Sequence, residues 1–281
     1  MPELPEVETI VRELRGRILG VQITEARLLK QDMLKHPAER KLDFGQFLIS
    51  KRFTSIERRG KFMIFALDDG AKVIGHLGMT GKFVSASDGM PDPNHLCSQY
   101  SFSDGSRLDH IDVRRFGRLE LYQPDEPMTR LDHIGIDPLD PGFSAEAVKS
   151  LVFSRQGNRR KRAIHTVLMD QSLISGVGNI YAAEALFRAG IKPDRFAGRL
   201  TKAEQVRLAA ALRQVMLDSL KEGGTTVSDY RRIDDKPGNF KNLLNVYERA
   251  GKPCRLCGTE IKRIRLGGRS AYYCGTCQKN K

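Results

Sequence analysis

No stretch of this 281-residue chain approaches the roughly 20 apolar residues that a transmembrane helix requires, so no membrane partner is expected. The start, with Pro2, Glu3 and Glu6, lacks the basic-then-apolar order of a secretion signal, which points to a cytoplasmic protein. Internal repeats and low-complexity segments are also missing. Forty per cent apolar residues and 13 Phe exclude wholesale disorder. Acids are scarce: 34 Asp+Glu stand against 47 Lys+Arg, a net +13. That surplus favours a polyanion such as nucleic acid.

The shortage of acids is local. Residues 249–281 hold nine Lys/Arg and one acid, Glu260. A second cluster, Arg155, Arg159, Arg160, Lys161 and Arg162, has no acid within it. Each can be a solvated face. Together they make an extended basic surface, for which salt-sensitive phosphate binding is expected.

The length suits two cores. Val7, Ile10, Val11, Leu14 and Ile18 recur at helical spacing, with Pro5 in the first turn, and predict a helix over 6–18. Short apolar runs (62–67, 73–76, 100–103 and 119–122) separated by Asp-Gly turns predict antiparallel strands to residue 123. The prolines at 124, 127, 138 and 141 suggest a linker. Beyond it, Thr201 and Glu204 form a capping box before the stripe Leu208, Leu212, Val215, Met216 and Leu220. The expected class is α+β: residues 1–135 as a helix plus β-sandwich, 136–150 as linker, 151–245 as a helical domain and 246–281 as a cysteine module.

Cys254-x2-Cys257 and Cys274-x2-Cys277, 16 residues apart, have zinc-ribbon spacing. Strands at 261–265 and 270–273 with a Gly267-Gly268 turn would complete the ribbon, and Arg269 at its tip can grip a phosphate bidentately. Two disulfides are the alternative, disfavoured in a reducing compartment. One Zn2+ held by four thiolates has no open position and is structural. Cys97 reads as an ordinary, partly buried thiol.

Gly176-Val177-Gly178-Asn179 precedes a helix expected over 180–189, with Asn179 as its N-cap. The third glycine of a dinucleotide fingerprint is lacking. The turn is either a plain connection or an anion site at a helix N-terminus.

The opening Met1-Pro2-Glu3-Leu4-Pro5-Glu6 allows two interpretations. Acids at a helix start are favoured by the helix dipole alone. Alternatively, removal of Met1 leaves a Pro2 secondary amine with a pKa near 8, able to attack a sugar C1′ carbon, with Glu3 and Glu6 placed to move protons.

These features together resemble the formamidopyrimidine-DNA glycosylase family of bacterial repair enzymes, with matching motifs from Pro2 to Cys277. The resemblance implies Pro2 as nucleophile, Glu3 as proton carrier and Glu6 in support. Arg58-Arg59-Gly60-Lys61-Phe62 resembles the family segment whose lysine serves the active site, which falls on Lys61. His76-Leu77-Gly78-Met79 resembles a loop whose histidine holds phosphate and whose methionine fills the gap left by a flipped nucleotide. Val113-Arg114-Arg115-Phe116-Gly117 resembles the arginine–phenylalanine loop. It implies Arg114 facing the orphaned base, Arg115 among the DNA contacts and Phe116 wedged into the stack. Wedging fits the cost of extruding a base from a duplex, although apolar residues such as Met79 and Phe116 are more commonly core.

Residues 168–187 resemble the family's helix–two-turn–helix, in which Asn179 would hold phosphates. Residues 223–240 resemble the loop closing over a flipped purine, with Thr225, Thr226, Val227, Ser228, Asp229 and Tyr230 as candidate lesion contacts. Arg269 matches the phosphate-gripping arginine of the finger. The chain departs from the family at His165, where a lysine is usual, and at Ile111-Asp112-Val113, where an aspartate–proline step is seen in many members. A neutral His165 would weaken a phosphate contact, for which Lys161 or Arg162 can substitute.

The resemblance implies a bifunctional glycosylase and abasic-site lyase acting on oxidised purines in double-stranded DNA. It also implies a monomer, cytoplasmic and held at the bacterial nucleoid by DNA binding. An endonuclease VIII-type enzyme for oxidised pyrimidines usually begins P-E-G-P-E, whereas this chain has P-E-L-P-E. The third alternative is a non-catalytic zinc-ribbon protein that binds damaged DNA.

Overall fold

Helix α1 (Leu4–Ile18) forms where apolar residues recur every three to four positions, and Val7, Ile10, Val11, Leu14 and Ile18 are all buried. A computed structural model describes residues 1–36, 43–87, 90, 92–154 and 156–279; Arg155 and Lys281 of the basic clusters lie outside them.

After α1 come strands β1 (Ile23–Leu28) and β2 (Leu34–His36), helix α2 (Phe44–Leu48), and strands β3 (Phe53–Arg59), β4 (Phe62–Leu67) and β5 (Lys72–His76). Four more strands follow: β6 (Lys82–Ser87), β7 (Leu96–Phe102), β8 (Ser106–Ile111) and β9 (Arg118–Tyr122). They form two sheets, ordered β1-β7-β8-β6 and β2-β9-β5-β4-β3. All pairings are antiparallel except β2 with β9, which run parallel. In β4 buried residues alternate with partly exposed ones, the period-2 pattern of a strand with one face on a core. One apolar cluster joins α1 to both sheets through residues such as Ile23, Phe53, Phe65, Phe83 and Phe102.

The second half is helical: α3 (Ala145–Val152), α4 (Ile164–Leu168), α5 (Asn179–Ala189) and α6 (Lys202–Lys221). Glu204 Oε2 accepts the Thr201 backbone N–H at 2.8 Å, and Thr201 Oγ1 accepts the Glu204 N–H at 3.3 Å, closing the capping box at the head of α6. Strands β10 (Ile261–Leu266) and β11 (Arg269–Cys274) pair as a hairpin turned at Gly267-Gly268. Helix α3 occupies part of the stretch expected to be linker, because Val148, Leu151 and Val152 share a buried face that outweighs the nearby prolines.

Contacts divide the chain into two units: Met1–Asp132 with Glu222–Lys241, and His133–Lys221 with Asn242–Lys281. Residues 223–240, grouped by sequence position with the helical segment, make their contacts with α1 and β6. Ile233 is fully buried in the first core, its carbonyl accepts the Ser85 N–H at 2.8 Å, and Arg232 Nε donates to Glu13 at 2.5 Å.

Candidate active site and nucleic-acid interface

The head of α1 gathers the N-terminal candidates. Pro2 is buried, and Glu3 and Glu6 are 3 % and 2 % exposed. The Glu3 N–H donates to Glu6 Oε2 at 2.9 Å as one half of a capping box, and Glu3's side chain accepts from the Glu6 backbone as the other. The second oxygen of Glu6 accepts the Thr225 N–H at 2.7 Å. One carboxylate therefore ties the first residues of the chain to the 223–240 loop. Gly224, at φ +88°, permits this approach: a Cβ there would meet Tyr230 Cε1 at 2.9 Å and Glu6 Cγ at 3.2 Å.

The loop's candidate residues separate. Thr225 is buried, Thr226 and Val227 are half-buried, and Ser228 and Asp229 are exposed. Tyr230, another candidate lesion contact, is buried. Its ring lies in the first core and its hydroxyl donates to the Gly223 carbonyl at 3.0 Å. Burial, chiefly, and the Glu6 and Glu13 charges push its phenol far above the usual range.

Lys61 follows Gly60 in the β3–β4 turn and is 6 % exposed. It acts on His76, whose pKa is held down to about 4 by burial first, then by Arg118, Lys61 and Arg130. The Gly78 N–H donates to His76 Nδ1 at 3.1 Å, which leaves Nε2 carrying the hydrogen of the neutral ring. A neutral Nε2–H can still donate to a phosphate oxygen.

Met79 and Phe116 are 40 % and 53 % exposed, so the core interpretation fails for both. They meet at Arg114. Its guanidinium carbon lies 4.5 Å from the Phe116 ring centroid, and its Nη1 lies 3.3 Å from the Met79 sulfur. Three side chains from two loops thus make one exposed cluster. Arg115 does not join it: its guanidinium reaches the Asp32 carboxylate at 3.4 Å.

In the second unit, Asn179 is the first residue of α5, and Gly178 is the N-cap that Asn179 was expected to be. The Asn179 side chain instead crosses to the hairpin, where its Nδ2 donates to the Ser270 carbonyl at 3.0 Å. Exposed Arg269 thereby lies next to Asn179 and His165. Burial, then Arg269, lower the His165 pKa to about 4 against an opposing effect of Asn179, so the ring is neutral at pH 7. Within the basic cluster, Arg159 donates to the Gly198 carbonyl and Arg162 pairs with Asp170.

The four cysteine sulfurs lie within 4.8 Å of one another, with pairs at 3.4, 3.5 and 3.9 Å. Tetrahedral zinc–thiolate bonds of about 2.3 Å put sulfurs roughly 3.8 Å apart. The Leu256 and Cys277 amides donate to Cys254 Sγ and Cys274 Sγ, as ligand-bearing knuckles do. The donor set fits one structural Zn2+, which supplies folding energy to the hairpin. Cys97 is completely buried and separate from the cluster.

Two acids escaped the sequence argument. Glu13 holds Arg232 and the Ile233 N–H. Glu184 is fully buried in α5 and accepts the N–H groups of Asn245, Val246 and Tyr247 at 2.8 to 3.0 Å. Its one sequence signal is an acid inside the apolar run Tyr181–Phe187.

Family models match along the chain: the formamidopyrimidine-DNA glycosylase N-terminal domain over residues 1–119, its H2TH domain over 134–231, and the zinc finger found in FPG and IleRS over 251–280. The formamidopyrimidine-DNA glycosylase of Pelotomaculum thermopropionicum is 38 % identical over 283 residues, covering 100 % of both chains. This chain belongs to the formamidopyrimidine-DNA glycosylase family. Solved relatives of similar fold include a Lactococcus lactis FPG variant in complex with Fapy-dG-containing DNA (TM-score 0.89, 32 % identity, 99 % of this chain and 100 % of that one). Another is MutM in complex with DNA containing carbocyclic 8-oxo-G (TM-score 0.88, 32 % identity, 99 % and 100 % covered). Among the described residues, no helix is long and apolar enough to cross a membrane.

Proposed function

We propose that this glycosylase removes oxidised purines, 8-oxoguanine and formamidopyrimidines, from duplex DNA and then cuts the strand as an abasic-site lyase. The observation that carries this is the head of α1, where buried Pro2 and Glu3 are fixed by Glu6 to the loop bearing Thr225. The family relatives bound to Fapy-dG and 8-oxo-G DNA support the substrate class.

With Met1 removed, the Pro2 nitrogen donates its lone pair to C1′ of the damaged nucleotide, and the bond from C1′ to the base breaks. The departing base takes up a proton, and the sugar ring opens to an iminium on Pro2. Glu3 moves the protons of ring opening. Loss of a C2′ proton expels the 3′ phosphate, and a second elimination expels the 5′ phosphate. Lys61 and neutral His76 orient phosphate beside the reacting sugar. Met79, Arg114 and Phe116 occupy the space the everted nucleotide leaves. Asn179 and Arg269 hold backbone phosphates, and the zinc site keeps Arg269 in place without touching the reaction.

Borohydride tests this directly. Protein with a confirmed Pro2 terminus should be trapped covalently on an 8-oxoguanine duplex, and absence of trapping there and on an abasic-site duplex would sink the lyase assignment. A panel including oxidised pyrimidines separates this enzyme from the endonuclease VIII type. Binding without any cleavage would favour a damage-binding protein.

A further inference from the structure

Asp112 lies beneath both loops of the exposed cluster and is 1 % exposed. Its Oδ1 accepts the Thr80 hydroxyl at 2.5 Å and the Arg114 N–H at 3.2 Å. Its Oδ2 accepts the Gly117 N–H at 2.7 Å. One carboxylate thus holds the residue after Met79 together with both ends of the Arg114–Phe116 turn. Its own backbone is anchored at the start of β7, where the Asp112 N–H donates to the His95 carbonyl at 3.2 Å and Cys97 Sγ lies 3.7 Å from the Asp112 carbonyl.

The loops meet closely at two glycines. Gly78 sits at φ +62°, and a Cβ there would fall 2.4 Å from the Phe116 carbonyl carbon. A Cβ on Gly117 would lie 3.0 Å from Asp112 Oδ2. A buried carboxylate held by a hydroxyl and amides is costly unless its acceptors are used, and a neutral side chain would close two loops at lower cost. What the carboxylate adds is geometry: several short, charge-assisted bonds that converge on one point.

We propose that Asp112 is a positioning residue that sets Met79, Arg114 and Phe116 as a single wedge, and that it serves base extrusion more than bond cleavage. The inference rests on the assignment of those three side chains as the gap-filling group. Extruding a paired base costs several stacking contacts that the wedge must replace in one motion. At a pre-formed abasic site that demand is smaller.

The test compares full-length wild type, Asp112→Ala, Asp112→Asn and Thr80→Val on two duplexes, one with 8-oxoguanine and one with a pre-formed abasic site. A third duplex carries 2-aminopurine opposite a tetrahydrofuran residue and reports wedge insertion without any chemistry. For Asp112→Ala, excision should fall about tenfold more than abasic-site cleavage, and the 2-aminopurine response should drop. Asp112→Asn, which keeps one acceptor oxygen, should fall between Asp112→Ala and wild type. Equal losses on both duplexes, or a wild-type 2-aminopurine response, would overturn the inference. Should Asp112→Ala fail to fold, Thr80→Val keeps the carboxylate and the Gly117 bond and must show the same bias more weakly. A wild-type protein that inserts its wedge but cannot be trapped defeats the lyase assignment alone, and the fluorescence comparison still decides the role of Asp112.

Discussion

The Glu6 carboxylate accepts the Thr225 backbone N–H at 2.7 Å, although the two residues are 219 positions apart. With its other oxygen on the Glu3 N–H, this side chain sets the candidate catalytic residues and the 223–240 loop in one frame. Glu6→Ala leaves two buried donors without their acceptor. It should destabilise the first unit by about 2–4 kcal/mol, measured by urea unfolding. Glu6→Gln keeps one acceptor and should lie in between, with excision declining in the same order.

His110 is 1 % exposed, and burial lowers its pKa to about 4 against an opposing effect of Asp112. The folded ring stays neutral while the unfolded ring, with its pKa near 6.5, takes up a proton. The stability tied to that difference is complete above pH 6.5 and is lost as pH falls toward 4. Between pH 7.5 and pH 5.0 the loss from this one group is about 2 kcal/mol. His110→Gln should flatten the pH dependence by that amount in urea titrations, and an unchanged slope would remove His110 as its source.

Chelation of zinc should melt the β10–β11 hairpin while the first unit stays folded, because the four thiolates and their ion replace a core in this segment. The Asn179–Ser270 bond and the placement of Arg269 depend on that hairpin. Affinity for duplex DNA should then fall at least about tenfold and return with added zinc. Circular dichroism and fluorescence anisotropy measure the two effects.

Arg269→Ala should weaken DNA binding similarly for damaged and undamaged duplexes. It should also reduce the slope of log K against log salt by about 1, as expected for one lost phosphate contact. His165→Lys places a cation where the chain now has a buried neutral ring, and it should steepen that slope by a similar amount if the side chain reaches phosphate. Anisotropy titrations at several salt concentrations give both values.

The sequence by itself determined what is local. Helix α1 was legible because its buried stripe repeats every turn, and the capping box at Thr201 because its partners are three residues apart. The zinc site was legible because ligand spacing is a property of two short knuckles. Family motifs then pointed to Pro2, Glu3, Lys61 and the two exposed loops. Tertiary structure decided the rest. The 223–240 loop belongs with α1 because Glu6 and Glu13 capture its backbone and Arg232, and Tyr230 enters the core there. Asn179 turns from capping its own helix to Ser270, 91 residues away. Asp112 gains its place only once two loops converge on its carboxylate. Periodicity and spacing encode interactions within a few residues, whereas a buried carboxylate's partners are chosen by packing, which no local pattern records.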